Sequence, residues 1–502
     1  MGIVIRQSLK ASAATYVGMA LGVVNSLFVS TYFLEPNQVG LTNSLVNFSI
    51  LFASFASLGV SGITDRYLGR FRNDAEGHHG FMAFIFTYAT FGFVLFYISF
   101  EALRPLYHSL FRDKSPELIQ YEDYIIPLTG GILLQTVFEA WCRNHQRIAI
   151  PALLREVLLR VLNISSVLLY GFQIVDFSTF LVLYVGQYFI LDLTLLLYTR
   201  QLGRFYWRPN WKALDRKIFR EIVTYGLFLI MGAVGVNLCT YIDRILLSSL
   251  VGQTETGIFS IAAIIAILIE IPKKSISQIS IPILAQAMRE EKWELVETMH
   301  KKAALNQLLI GSFLFLGIWC NIDDVFSLMA KGDEYRPGKY AVLFLGLSKL
   351  IDMGTGLSNE IIGYSRYYRI NLPLILLLGV ITLGTGLWLI PRFEVTGAAA
   401  ATAITILAYS AVRGLYVVWR FKITPFTLRT LGAIAVGLIA YGATSLVPDF
   451  GTDFLTITLT IVLRGIITTI VFGLLVISFR ISPDVNQLIT TLWNQVKGFM
   501  KR

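Results

Sequence analysis

The sequence predicts an all-α polytopic membrane protein with fourteen transmembrane helices, and three observations predict it. Fourteen apolar stretches recur along the chain, each near the roughly 20 residues a helix needs to cross hydrocarbon. None shows the apolar/polar alternation of a membrane barrel strand, the other closed way of spanning a bilayer. The 502 residues are 55% hydrophobic and only 15% charged, where a soluble protein carries about 25% charged side chains. Threading the stretches from a cytoplasmic N-terminus leaves most of the 42 Lys and Arg on one side. Seven fall outside: Arg104, Arg112, Lys114, Lys331, Arg336, Lys339 and Arg392. That is the positive-inside pattern, so both termini are expected in the cytoplasm. The net charge of +10 is then a sign of topology and not of a nucleic-acid partner.

Taken in order, the first six stretches cover 13–34, 41–63, 80–100, 125–142, 152–173 and 178–199. Arg6 and Lys10 precede the first, but this run exceeds the about 7–15 apolar residues of a signal peptide and reads as an uncleaved helix. The next six cover 223–249, 256–272, 303–320, 340–364, 370–390 and 396–418, and the last two 428–447 and 455–478. The links 35–40, 173–178, 251–256 and 391–396 are short enough to force antiparallel hairpins. Three of them share a pattern: Gln38-Val39-Gly40-Leu41, Glu255-Thr256-Gly257-Ile258 and Val395-Thr396-Gly397-Ala398. Each has a glycine opening the returning helix, where close backbone approach favours the missing side chain. Weak internal repetition of this kind is expected of a transporter built from related halves.

The connection 200–222 separates the halves. Arg200, Arg204, Arg208, Lys212, Arg216, Lys217 and Arg220 alternate there with aromatic and aliphatic residues. From Trp211 onward the apolar positions follow helical spacing, a stripe suited to a helix lying among lipid headgroups. Ser482-Pro483-Asp484 reads as a helix start, and Val485, Leu488, Ile489, Leu492, Trp493, Val496 and Phe499 make a second such stripe.

Cys142, Cys239 and Cys320 sit in or at the ends of apolar runs with no metal spacing or disulfide framework. The five histidines lie in loops without a ligand cluster, and no loop carries an Asp-x-Asp nucleotide-sugar motif. No cofactor, metal or enzymatic activity is therefore expected.

Ionisable residues deep in apolar runs point to function, because each is costly in hydrocarbon unless it faces water or a partner. Four cations qualify: Arg160, Arg244, Lys349 and Arg464. Arg160 lies about ten residues into the fifth span, near mid-bilayer at about 1.5 Å per residue. Arginine offers phosphate oxygens a planar fork of donors, so Arg160, Arg244 and Lys349 are candidate contacts to an anionic substrate. The competing reading is local neutralisation: Arg244 adjoins Asp243, and Lys349 stands one turn from Asp352. Adjacent helical residues point about 100° apart, so Asp243 and Arg244 are not expected to face the same way. Among the carboxylates, Asp65 has Arg66 beside it and Glu139 has Arg143 four residues on, which anchors helix ends. Asp192 and Glu270 have no obvious local partner and are candidates for coupling to H+ or Na+. Asn25 and Asn47 are candidate sugar contacts that serve equally well as interhelical glue. Gly18-x-x-x-Gly22 is a packing motif.

Three segments carry a resemblance. Tyr241-Ile242-Asp243-Arg244-Ile245-Leu246-Leu247, Thr256-Gly257-Ile258-Phe259-Ser260 and Pro391-Arg392-Phe393-Glu394-Val395-Thr396-Gly397-Ala398-Ala399-Ala400 are similar to the polysaccharide flippases of the multidrug/oligosaccharidyl-lipid/polysaccharide exporter (MOP) superfamily. Wzx-type O-antigen flippases of lipopolysaccharide synthesis are the nearest branch by pattern. The resemblance implies two MATE-like six-helix lobes, 1–200 and 223–422, around a central cavity. It adds a cytoplasmic interfacial linker, 201–222, two extra helices within 423–480 and a cytoplasmic amphipathic tail, 481–502. It further implies alternating access in the inner (plasma) membrane, a polyprenyl-pyrophosphate-linked oligosaccharide as cargo, and contact with polysaccharide polymerase machinery. A drug exporter of the superfamily would place an acid in the core of the first helix, and a lipid II flippase arginines in the first two; this sequence has neither.

Overall fold

The computed structural model describes residues 3–73, 77–202, 215–451 and 453–487, and among them all regular structure is helical. Helix α1 (Ile3–Val24) passes through a π-helical turn, Asn25–Val29, into Ser30–Phe33. Helix α2 (Pro36–Ala56) starts with a capping box in which the Glu35 N–H donates to Gln38 Oε1 at 3.1 Å. It is followed by α3 (Val60–Phe71), α4 (Phe81–Phe111) and α5 (Ile125–Asn144). A short helix, Ala149–Leu153, and a second π turn, Leu154–Leu158, lead into α6 (Leu159–Gly171) and then α7 (Phe177–Leu202). The chain continues through α8 (Arg216–Leu250), α9 (Gln253–Arg289), α10 (Trp293–Trp319) and α11 (Lys339–Gly354). Helices α12 (Ser358–Tyr364), α13 (Asn371–Phe421), α14 (Leu428–Ser445) and α15 (Phe454–Ser478) complete it.

Every expected apolar stretch is mainly helical, those at 41–63 and 340–364 with a break at 57–59 and 355–357, and the chain is a multi-pass membrane protein. By length and hydropathy, however, eleven helices qualify as spans, or twelve when the pair bent by 52° at residues 354–358 counts as one. The expected fourteen are not reached by that measure, for physical reasons. The expected link 391–396 does break the helix: Asn371–Phe421 is two helices joined across a kink at Glu394 (φ 48°, ψ −123°), where a β-carbon on Gly397 would stand 2.3 Å from Leu389 O, so two expected spans enter the count as one. The stretch from 149 to 171 carries Arg155, Glu156 and Arg160 within its apolar run and is not among the eleven.

The chain forms two compact units, 1–260 and 261–502, with the boundary inside α9. In the first, α2 and the start of α9 meet backbone to backbone. A β-carbon on Gly40 would stand 1.8 Å from Gln253 O, and one on Gly257 would stand 1.9 Å from Pro36 O. The glycines of two of the repeated links thus touch each other through equivalent positions. A buried polar cluster flanks the crossing: Gln253 accepts from Ser44 Oγ at 2.9 Å and donates to Ser248 Oγ at 2.5 Å and Ser115 Oγ at 3.1 Å.

In the second unit, Leu309 and Phe315 of α10 and Met353 of α11 pack with Ala433 and Val436 of α14 and Phe472 of α15. Residues 203–214 of the expected interfacial linker, and 488–502 of the expected tail, lie outside the described residues. The expected helix start at Ser482 is present: helix begins at Pro483, and Ser482 Oγ accepts the Val485 N–H at 3.3 Å.

Candidate functional site: cations and carboxylates within the helices

In the first unit, α1 and the helix through 154–171 pack along a matched seam. Gly18 abuts Glu156, Gly22 lies under the guanidinium of Arg160, and Asn25 Nδ2 donates to Asn163 Oδ1 at 2.6 Å. The spacings 18–22–25 and 156–160–163 are one helical turn each, so the same faces stay in register. Each strand of this seam contains a π turn, a feature frequent at functional sites. Arg160 has no ion pair or hydrogen bond among the described residues, and its side chain is exposed. The packing motif Gly18-x-x-x-Gly22 therefore does more than hold helices together: it seats the candidate cation.

Arg244 is more constrained. Its Nη1 donates to Thr240 O at 3.2 Å, and its guanidinium lies 5.5 Å from the Phe259 ring and 5.9 Å from that of Tyr241. Contrary to the expectation from helical geometry, it also reaches its neighbour: Nη1 is 3.7 Å from Asp243 Oδ1. The flexible arginine stem curls back along the helix, so local neutralisation is partly realised.

Asn25 is engaged by Asn163 through its amide nitrogen, as interhelical glue, while its Oδ1 is buried without a partner. Asn47 is buried on α2, and its Nδ2 has no partner. Asp192 is 5% exposed, beside Gly131 and Tyr188, and neither carboxyl oxygen has a hydrogen-bond partner. The other acidic anchors differ from expectation. Asp65 is held by Arg143 at 2.8 Å and not by Arg66, which covers the Tyr225 ring at 4.5 Å. Glu139 pairs with Arg155 at 2.8 Å and not with Arg143.

In the second unit, the expectation that Glu270 lacks a partner is overturned: Lys349 Nζ lies 2.6 Å from its Oε2. Lys349 in turn does not take Asp352 as its partner. Asp352 accepts from Lys273 through Oδ2 and from Arg413 at 2.8 Å through Oδ1, and Arg413 also donates to Thr355 Oγ1 at 2.7 Å. Glu270 and Lys273 on α9 thus face Lys349 and Asp352 on α11 as two rungs of opposite sense, with Arg413 of α13 behind the second. Arg413 and Lys273 were not legible as site residues, because both sit near the basic end of an apolar run. Ser410, one turn before Arg413 on an apolar helix, was the available signal. Arg464 is committed to structure: it donates to Asp324 at 2.9 Å, Asp449 at 2.5 Å and the carbonyls of Cys320 and Val447.

A cavity of about 980 Å³ lies wholly within the second unit, walled by α10, α11, α13 and α14. Its lining is apolar, with Phe315, Trp319, Leu347, Leu415 and Ile434 among its walls, and Thr355, the acceptor for Arg413, also borders it. Among the described residues there is no cluster of His, Cys, Asp and Glu able to hold a metal.

A family model described as polysaccharide biosynthesis protein matches residues 4–288 of the chain. The chain belongs to the polysaccharide biosynthesis protein family. A capsular polysaccharide biosynthesis protein, CapF of Staphylococcus aureus, is 29% identical over 204 residues, 39% of this chain. The match spans about half of that relative's length, 49%. The fold is similar to that of the lipid II flippase MurJ in an inward closed conformation, with TM-score 0.70 and 13% identity over 94% of this chain and 99% of the other. It is also similar to an inward-facing multidrug resistance MATE family transporter of the MOP superfamily, with TM-score 0.62 and 17% identity over 83% and 98%. This member of the polysaccharide biosynthesis protein family therefore shares the fold of these flippase and transporter structures.

Proposed function

We propose that this protein is a flippase that carries lipid-pyrophosphate-linked oligosaccharide repeat units from the cytoplasmic to the outer leaflet by alternating access. One observation carries the reading: Arg160, deep in an apolar helix of a polysaccharide biosynthesis protein, has no ion pair or hydrogen bond among the described residues and is seated open on Gly22. An uncompensated guanidinium there is costly unless water or an anion reaches it, and a pyrophosphate diester supplies that anion. Arg244 and Asn47 are further candidate contacts in the first unit, and Lys349 in the second. The apolar cavity of the second unit supports a cargo with a lipid tail. Asp192, buried without a partner, is the candidate for H+ or Na+ coupling. The lobes 1–200 and 223–422, cytoplasmic termini and residence in the plasma membrane belong to the same reading. The family and the capsular relative support a surface polysaccharide without favouring O-antigen.

Deleting the gene tests the proposal. Lipid-linked repeat units are expected to accumulate on the cytoplasmic face while surface polysaccharide disappears. Normal polysaccharide together with sensitivity to cationic dyes would instead identify a drug exporter.

A further inference from the structure

The two rungs between α9 and α11 are not equivalent. Asp352 holds two cations, Lys273 and Arg413, whereas Glu270 holds one, Lys349. Counted together, Lys273, Lys349 and Arg413 face Glu270 and Asp352, so the ladder carries one surplus positive charge. Exposure runs the same way: the Lys349 side chain is 31% exposed and that of Arg413 is 6%. The surplus is stored at the buried end, while the group able to meet a ligand is at the open end. Glu270 and Lys273 are three residues apart on α9, within reach of each other along one helix face.

We propose that this ladder is an exchangeable anion site: Lys349 leaves Glu270 to bind a phosphate oxygen, Glu270 moves to Lys273, and Asp352 stays on Arg413. Each carboxylate keeps a cation throughout, so the exchange strands no buried charge, which would be the dominant cost in hydrocarbon. Glu270 is the placeholder that occupies Lys349 until an anion arrives, and Arg413 is a positioning residue acting through Asp352. The inference rests on the reading of the cargo as a lipid pyrophosphate and assigns that cargo's phosphate a contact in the second unit.

The test uses the full chain purified in detergent and undecaprenyl pyrophosphate as the probe, with binding and melting temperature measured together. Removing the placeholder by Glu270→Gln is expected to tighten binding about tenfold, the size of one charge-assisted contact. Arg413→Gln is expected to weaken it by a similar factor, because Asp352 then claims Lys273 and leaves Glu270 only Lys349. Glu270→Gln added to Arg413→Gln is expected to bind as tightly as Glu270→Gln alone, because with no Glu270 to rehouse, Arg413 has no further part; independent effects would instead cancel to parental binding. Lys349→Arg keeps binding and Lys349→Gln loses it, a comparison that holds even if Glu270→Gln fails to accumulate. Unchanged or weaker binding by a normally melting Glu270→Gln protein, equal binding by Lys349→Arg and Lys349→Gln, or a double variant that binds no more tightly than the parent overturns the exchange while the flippase reading stands. A parent protein that ignores the probe and exports cationic dyes overturns the flippase reading, and the exchange with it.

Discussion

Gly22 lies directly beneath Arg160: a β-carbon at position 22 would stand 3.4 Å from Nε and 3.6 Å from Cζ of the guanidinium. One turn earlier the fit is tighter, since a β-carbon on Gly18 would meet the Glu156 backbone oxygen and Cβ at 2.5 Å each. The two glycines of one motif therefore have separable tasks, one spacing the backbones and the other making room for a cation.

Gly18→Ala is accordingly expected to cost about 1–3 kcal/mol through overpacking against backbone, seen as reduced expression and a lower melting temperature. Gly22→Ala is expected to melt normally, because its β-carbon makes an ordinary contact. Gly22→Leu displaces the guanidinium, so it is expected to accumulate yet lose transport. Equal damage to folding at both positions would refute the division of labour.

Arg160→Lys keeps the charge but loses the planar fork, and partial transport is expected. Arg160→Ala and Arg160→Glu are expected to abolish transport without loss of expression. One charge-assisted phosphate contact of roughly 1.5–3 kcal/mol corresponds to a ten- to hundredfold loss in a lipid-linked oligosaccharide translocation assay. Normal transport by Arg160→Glu would remove this residue from the cargo path.

Asp192→Asn removes a carboxyl that no neighbour satisfies. Stability is expected to be unchanged or raised, since an unpartnered buried carboxylate is destabilising. Dependence of transport on an H+ or Na+ gradient in proteoliposomes is expected to disappear. Gradient-driven transport at the parental rate would rule out a coupling role.

Cysteines introduced at positions 101–124 or 321–339 are expected to react with impermeant reagents on intact cells. Those at 200–220 should react only after permeabilisation. Labelling of the second group from outside would invert the topology.

The chain after α15 is clipped to α10: Ser482 Oγ donates to Asn306 at 2.8 Å, while Asp484 accepts from Lys302 and Asn306 at 2.9 Å each. The Lys302 ammonium, then the Asn306 amide, holds the Asp484 carboxyl below its usual range. Its stabilisation is thus complete above the unfolded carboxylate value and lost only as the pH falls through the depressed folded one. Asp484→Asn is expected to loosen residues 481–487 by about 0–1 kcal/mol, because the pair is half-exposed. Hydrogen exchange of that segment should rise at neutral pH in the variant, and in the parent only below about pH 4.

The helices and the unpaired cation were legible in the sequence because each depends on local pattern: a run of apolar residues defines a span, and Arg160 interrupts one. The partners of the other charged groups were not legible. Lys273 and Asp352 are 79 positions apart, and Arg143 takes Asp65 in preference to the nearer Glu139 because its helix packs on α3. Proximity in sequence proposed Lys349 with Asp352, whereas α9 supplied Glu270 instead. The link at 391–396 was legible as well, because Pro391 and Gly397 are local signals, and the chain breaks there at Glu394, which leaves helical geometry at φ 48°.

The crossing of α2 and α9 at Gly40 and Gly257 has one further consequence. The two β-carbon positions collide with the facing carbonyls at 1.8 and 1.9 Å, so the seam looks alike from either side. One added methyl group, on either glycine, acts as the same wedge driven from opposite directions. A helix pair with no side chains between its backbones can lift apart without unthreading anything, but it cannot reclose over a wedge. Gly40→Ala and Gly257→Ala should therefore arrest the protein in one shared state, with the seam open, giving two independent handles on a single trapped conformation.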